Sequence, residues 1–178
     1  MTKKILAFGA SSSRASINKK FATFAAHQIE GAEVNLLDLN DFEVPIYSMD
    51  KEMATGFPEL IKQFKQHILD ADGLIISFAE HNGAYSAAFK NIMDWVSRME
   101  GSTWADKPMF LMATSPGGRG GATVLDIAVN KFQFMGKGAI TSFSLPFFGK
   151  NFSETEGITD EQLAQTFEEK LKMFVKSL

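Results

Sequence analysis

Cysteine is absent from the 178 residues of this chain. Its absence excludes a disulfide framework, a thiolate metal site and a catalytic cysteine. The sequence also shows no catalytic triad and no cluster of metal-ligating side chains, so we expect neither catalytic side chains nor a bound metal. A chain without cysteine suits a reducing compartment, and we expect a cytoplasmic protein.

Long apolar runs and runs of like charge are missing as well. No apolar segment reaches the roughly 18 residues that a membrane span needs, and the N-terminal MTKK leads directly into a strand-like run. We therefore expect no membrane partner and no signal peptide. The net charge is −3 and no basic face is visible, which argues against a nucleic-acid partner. The length is near that of one domain, so we expect a single domain over residues 1–178.

What the sequence does contain is a regular alternation of short apolar runs and helical patterns. The apolar runs predict five strands, at residues 3–10, 32–40, 72–80, 107–115 and 138–146. Apolar residues at helical spacing follow every one of these runs. Continuous apolar strands are typical of a parallel sheet covered on both faces. We therefore expect a doubly wound α/β fold of three layers, with a five-stranded parallel sheet in the order 2-1-3-4-5.

Ligands of such sheets bind beyond the carboxyl ends of the strands. The loops that follow the first, third and fourth predicted strands are residues 9–18, 79–86 and 114–121, and all are enriched in Gly, Ser or Asn. The first loop combines hydroxyls, an amide and an arginine with a predicted helix N-terminus, a combination that suits an anion. The alternative is structural: Ser16 caps the helix and the other serines fill a turn.

Other phosphate-binding patterns fit this first loop less well. A dinucleotide fingerprint needs G-x-G-x-x-G, and the loop offers only Gly9, although Asp38 ends the second strand where a ribose-binding acid would lie. A P-loop motif is absent. A phosphoacceptor domain would carry acids at the end of the first strand, where this chain has Phe8 and Gly9. The serines favour a terminal phosphate over a pyrophosphate.

The second loop continues as AEHNGAYSAAFKNIMDWVSRME, and the third reads SPGGRGG. With the first loop, these motifs resemble the NAD(P)H-dependent FMN reductases of flavodoxin-like fold, which include quinone, azo and chromate reductases. The family's patterns are roughly G-S-x-R-x-x-S-x-N, P-E-Y-N followed by K-N-x-x-D-W-x-S-R, and S-x-G-x-x-G-G. This chain departs from them at Ala79, where proline is usual, and at His81, where tyrosine is usual.

The resemblance implies a flavodoxin-like fold and bound FMN, with the flavin supplying the redox chemistry. It assigns the phosphate to the first loop, the edge of the flavin ring to the second, and the pyrimidine end of the ring to the third. The implied cofactor-binding residues are Ser11, Ser13, Arg14, Ser16, Ile17, Asn18, Glu80, His81, Asn82, Gly83, Ser115, Gly117 and Gly118.

Several of these side chains allow two interpretations. His81 lines or stacks on the ring, or it is a polar residue facing solvent. Trp95 is favoured as a packing residue. Asp94, Ser97 and Arg98 fix the third predicted helix against a neighbour or a second subunit, or they form a solvated helix end.

The function implied is a flavoprotein that takes a hydride from NADPH or NADH and passes electrons to a small-molecule acceptor such as a quinone, flavin or azo dye. We expect ping-pong turnover, and a homodimer or homotetramer formed through residues 84–100 and their flanks. The loops at 40–56 and 146–157 carry aromatic residues and are expected to form the rims of the pocket. A flavodoxin-like electron carrier and a flavin-free nucleotide-binding domain are the alternatives; 18 basic residues argue against the first, and the missing glycines against the second.

Overall fold

A five-stranded parallel sheet lies at the centre of the computed structural model, which describes residues 2–178. Its strands are β1 (Lys4–Ala10), β2 (Glu33–Leu37), β3 (Gly73–Phe78), β6 (Met109–Thr114) and β7 (Ile140–Leu145), in the order β2-β1-β3-β6-β7. They are the five strands that the apolar runs predict, in the predicted spatial order. The three-layer, flavodoxin-like architecture is therefore confirmed.

Helices cover both faces of this sheet, because the strands are apolar on both sides. Their bounds are α1 (Ile17–His27), α2 (Met49–Thr55), α3 (Glu59–Asp70), α4 (Ala87–Val96), α5 (Ala122–Phe132), α6 (Phe148–Asn151) and α7 (Glu161–Ser177). Leu6 and Phe8 of β1 pack with α3, α4 and α5, whereas Ile5 and Ala7 pack with α1 and α7. One strand thus contributes to two cores, as the period of two along a strand requires.

Some short elements escaped prediction. A 3₁₀ turn (Leu39–Phe42) and α2 lie between β2 and α3, and α6 lies between β7 and α7. Two antiparallel hairpins, β4 (Glu80–His81) with β5 (Ala84–Tyr85) and β8 (Phe152–Ser153) with β9 (Gly157–Ile158), lie outside the main sheet. Helix α2 buries none of its residues, so it has no apolar stripe from which to predict it.

No helix within residues 2–178 is both long enough and apolar enough to cross a bilayer.

Candidate functional site

Three loops meet at the carboxyl edge of the sheet. They are the first loop (residues 9–18, from the end of β1 to the first residues of α1), the second loop (79–86, after β3) and the third loop (114–121, from the end of β6). Strands β1, β3 and β6 are neighbours in the sheet, so the structure brings the three predicted loops together. No cluster of three or more His, Asp or Glu arranged to hold a metal ion occurs in this part of the molecule or elsewhere in residues 2–178.

The first loop presents a set of unused backbone donors. Ser16 is the N-cap of α1, and its Oγ accepts the Lys19 N–H at 3.2 Å. The Oγ of Ser11, which is buried, likewise accepts the Ser13 N–H at 3.1 Å. Each of these hydroxyls keeps its proton free to donate. The backbone N–H groups of Arg14, Ala15, Ile17 and Asn18 meet no acceptor among the described residues. Hydroxyl and N–H donors at a helix N-terminus fit an anion.

The backbone of α1 approaches β1 so closely that Gly9 has no room for a side chain. A Cβ built on Gly9 would lie 2.6 Å from the Cα of Lys19 and 2.9 Å from the carbonyl carbon of Asn18. Both atoms belong to the first turn of α1, which supplies the open N–H groups. Gly9 therefore sets the position of the helix end, and this is the role that the sequence did not reveal.

Asn18 is built into the fold more deeply than the sequence suggests. Its Oδ1 accepts from the Ser77 hydroxyl at 2.8 Å and from the Thr114 N–H at 3.0 Å, and its Nδ2 donates to the Thr114 carbonyl at 3.1 Å. The side chain is 3% exposed. Its amide joins α1 to β3 and β6, a role that sequence reasoning missed because the partners are distant along the chain. One amide hydrogen and the backbone N–H of Asn18 are left for a ligand.

The second loop is a tight hairpin with a projecting tip. Asn82 and Gly83 form its two-residue turn with φ angles of 52° and 74°, as a type I′ turn requires. The Asn-Gly pair is a signal that could have predicted it. His81 is exposed, and the structure shows no contact that decides between its two interpretations. The side chain of Glu80 is directed towards α5, and its Oε2 accepts the Val124 N–H at 3.1 Å. Val124 lies in the first turn of α5, where a carboxylate is favourable.

In the third loop, backbone carbonyls accept hydrogen bonds from the protein, whereas several backbone N–H groups have no acceptor. The Gly117 carbonyl accepts from the N–H groups of Gly120 and Phe147 and from the Ser115 hydroxyl. The N–H groups of Gly117, Gly118 and Arg119 meet no acceptor within residues 2–178. The ring of Phe147 lies against Gly118, since a Cβ on that glycine would come within 2.7 Å of its Cζ. Open N–H groups of this kind suit the carbonyl edge of a heterocycle.

Side-chain bonds to the backbone tie the three loops to one another. Asn18 links the first loop's helix to the end of β6, as described above. Ser86, the N-cap of α4, donates to the Ala10 carbonyl at 2.8 Å and so links the second loop to the end of β1. Glu80 links the second loop to the start of α5. The donors of the site are therefore held in place before any ligand arrives.

The motif residues of α4 hold a neighbouring segment. Asn91 accepts from the Tyr47 N–H at 2.8 Å and donates to the Val44 and Pro45 carbonyls, and the Nε1 of Trp95 donates to the Pro45 carbonyl. Trp95 is buried, so its interpretation as a packing residue is confirmed.

The remaining polar residues of that motif form surface contacts. Lys90 pairs with Asp94 at 2.6 Å, Ser97 donates to the Asp94 carbonyl, and Arg98 pairs with Glu52 of α2 at 3.2 Å. Asp94 and Arg98 thus stabilise α4 and its link to α2 within one chain.

The loops at 40–56 and 146–157 carry five aromatic residues, and only one of them is exposed. That these loops form the rims of the pocket stays a prediction. Phe42 and Phe148 are buried in the two cores, and Tyr47 packs edge-on against Trp95. Only Phe147 is exposed, at 49%, among the aromatic residues of the two loops, which are Phe42, Tyr47, Phe147, Phe148 and Phe152. Aromatic residues of a loop can thus fill a core as readily as they line a pocket.

Tyr85 places a buried hydroxyl at the base of the second loop. The ring contacts Phe78 and Phe89, and the hydroxyl makes no hydrogen bond with the described residues. Burial raises the pKa of Tyr85 to about 12. The group therefore keeps its proton near neutral pH and is unsuited to act as a general base.

Comparisons with known proteins agree with one another. The family model described as NADPH-dependent FMN reductase matches residues 3–149. A stretch of 93 residues is 33% identical to an NADPH:quinone oxidoreductase of Arabidopsis thaliana, covering 52% of this chain and 46% of that protein. A stretch of 124 residues is 37% identical to a 2-hydroxy-1,4-benzoquinone reductase of a Burkholderia species, covering 68% and 66%. The chain thus spans about half to two thirds of the length of these curated relatives.

Among solved structures, the flavoenzyme NAD(P)H:(acceptor) oxidoreductase FerB of Paracoccus denitrificans superposes with a TM-score of 0.78. It is 26% identical, and the superposition covers 99% of this chain and 97% of FerB.

Proposed function

Because this chain belongs to the NADPH-dependent FMN reductase family, we propose that it is an FMN-containing oxidoreductase that carries electrons from NAD(P)H to a small-molecule acceptor such as a quinone, flavin or azo compound. The observation that carries the proposal is the first loop, where open N–H groups and two oriented hydroxyls surround the N-terminus of α1. That donor set fits a phosphate monoester, which offers several acceptor oxygens.

Each loop has a distinct task in this proposal. Residues 11–18 bind the phosphate through the hydroxyls of Ser11, Ser13 and Ser16, the backbone of Ile17 and Asn18, and the charge of Arg14. Residues 80–83 border the edge of the ring. Ser115, Gly117 and Gly118 lie at its pyrimidine end, where N–H donors stabilise the negative charge that reduction creates.

Bound FMN supplies the chemistry itself, taking a hydride from the nicotinamide and returning two electrons to the acceptor. The chain holds the flavin, orients it and excludes competing reactions. These residues would hold the flavin by its phosphate and one ring edge and leave a single face open, so donor and acceptor would use the same space in turn.

We expect purified protein to bind FMN in preference to FAD and to oxidise NAD(P)H when a benzoquinone is added. Because donor and acceptor alternate at one face, initial rates at several fixed quinone concentrations should give parallel double-reciprocal lines. Intersecting lines would contradict the shared face. FMN binding without NAD(P)H oxidation would favour an electron carrier instead.

We also propose that the chain forms a homodimer or homotetramer through residues 84–100 and their flanks. The large apolar residues of α4, including Phe89, Ile92 and Trp95, are buried in the core of their own chain and do not supply this interface. The segment that precedes α4 in the chain offers exposed apolar residues for the interface instead: Ile46 is 77%, Met53 79% and Met49 62% exposed. Light scattering at micromolar concentration should show a mass above 19.6 kDa; a monomer would contradict the proposal.

A further inference from the structure

A groove of about 810 Å³ runs between α1 and α7, on the face of the sheet that these two helices cover. One wall is a stripe of α7 from Ala164 to Lys176, and the other is formed by residues 24–30 at the end of α1. At a rise of 1.5 Å per residue, the stripe is about 18 Å long. The β8–β9 hairpin closes one end of the groove through residues 154–158. No residue of the three loops or of the proposed subunit interface lines it, so the groove is a separate feature of the molecule.

The floor of this groove is apolar and is held in place by the protein. Phe24, Ile158 and Phe167 lie in the floor and pack in the core beneath it. Gly157 of the hairpin rests on the ring of Phe24, since a Cβ on that glycine would come within 2.4 Å of the ring. Phe24 also packs edge-on against Phe152, with 5.3 Å between the ring centroids. The groove is therefore formed in advance, and its volume lies within the usual range for small-molecule sites, roughly 300–1,000 Å³.

The hairpin end of the groove is rich in negative charge. From β8 to the middle of α7 the chain carries five acidic residues and no basic one. Two of these acids are paired, Glu154 with Lys20 and Glu168 with Lys172. Glu156 lines the groove, is exposed, and forms no ion pair within residues 2–178. Its carboxylate is therefore available to a ligand.

The other charges near the groove do not cancel this excess. Lys150 precedes the hairpin, but Asp160 and Glu161 at the start of α7 outnumber it. At the far end of the groove, Glu30 and Lys176 carry opposite charges. The groove thus has a negative end beside the hairpin and a balanced end between the C-terminal ends of the two helices. A molecule with one positive head group and an apolar tail is complementary to this arrangement.

We propose that this groove is a second ligand site, which binds an elongated apolar molecule with a single cationic head group, of the alkylammonium class. The head group lies beside Glu156, and the tail follows the stripe of α7 towards Val175, which is exposed. The opposite charges attract, and the tail removes apolar surface from water. The inference does not depend on the proposed function, since no residue of the flavin site takes part.

Calorimetric titration with decyltrimethylammonium and with decyl sulfate tests the site, because the two probes share one tail and differ in the sign of the head group. Wild-type protein should bind one decyltrimethylammonium per chain, about tenfold more tightly than decyl sulfate, with or without excess FMN. Glu156→Gln should shrink that ratio. Glu43→Gln is the matched control: it changes the net charge equally, is exposed, and follows Phe42 of the opposite core, so it should leave the ratio unchanged.

Two further variants test the place of the tail. Ala164→Trp should abolish binding of decyltrimethylammonium, because the indole fills the groove, and should leave the affinity for FMN unchanged. Val175→Gln alters an exposed position, where folding is not at risk. It should weaken both probes to the same extent, since it removes apolar surface beneath the tail and changes no charge.

Equal affinity for the two probes, more than one bound cation per chain, competition with FMN, or insensitivity to Glu156→Gln would each overturn the inference. Affinity that falls as the protein concentration rises would show that a second copy of the chain covers the groove, and would overturn it as well. Circular dichroism recorded during the titration checks that the fold persists.

Discussion

Replacing Gly9 with alanine is expected to raise the dissociation constant for FMN by about a hundredfold or more, because two charge-assisted hydrogen bonds, each worth roughly 1.5–3 kcal/mol, are lost. The new methyl group would collide with backbone atoms of Lys19 and Asn18, which cannot rotate away as a side chain can. The first turn of α1 must move, and its open N–H groups move with it. Riboflavin has no phosphate, so its affinity should fall less.

The same substitution overpacks the junction between β1 and α1, and such changes typically cost about 1–3 kcal/mol. For a chain of this size the melting temperature should fall by roughly 2–12 °C. Gly149→Ala is the matched control, because a Cβ there meets no atom within 4 Å. Unchanged FMN affinity in a folded Gly9→Ala protein would show that the end of α1 does not bind the phosphate.

Replacing Asn18 with alanine is expected to destabilise the protein even in the absence of any flavin. The change removes the hydrogen-bond partner of the buried Ser77 hydroxyl and of both backbone groups of Thr114. Each buried group that is left without a hydrogen bond costs about 1–3 kcal/mol, so the free energy of unfolding should fall by about 3 kcal/mol or more. The melting temperature should drop by roughly 6–12 °C.

Ser12→Ala serves as the control for this experiment, because Ser12 is an exposed residue of the same loop and its hydroxyl makes no hydrogen bond within residues 2–178. Thermal unfolding of the apoproteins, followed by titration with FMN and riboflavin, separates the two roles of Asn18. Loss of affinity for both flavins in parallel with stability indicates a structural role. If the apoprotein is as stable as the wild type and only the affinity for FMN falls, the Asn18 amide binds the phosphate.

The sheet could be predicted from sequence because its signal is local. β3 and β6 are buried along their whole length, and β1 is buried at every residue after Lys4. Their apolar runs are therefore unbroken, and the loops at their ends follow from the topology. Ser86 also had a readable signal, since a serine directly before a helical pattern is a candidate N-cap.

The bonds that join the loops had no such signal. In the sequence, Asn18 is a loop amide that could bind a ligand. Only folding brings it next to Thr114, which is 96 positions away along the chain. Glu80 matched a family motif for the flavin edge, yet its carboxylate reaches the start of α5, 44 positions away. A sequence pattern can show that a polar residue lies near a site, but the choice between ligand and scaffold depends on tertiary neighbours.

The ties between the loops have a consequence for how such a site can diverge. The bonds from Ser86 and Glu80, and two of the three made by Asn18, end on backbone atoms, and a backbone atom is the same whichever residue carries it. Residues at the loop tips can therefore be exchanged without loosening the frame, as His81 in the family's tyrosine position illustrates. Mutations at the loop tips can therefore change which electron acceptors are used while the binding of the cofactor stays the same.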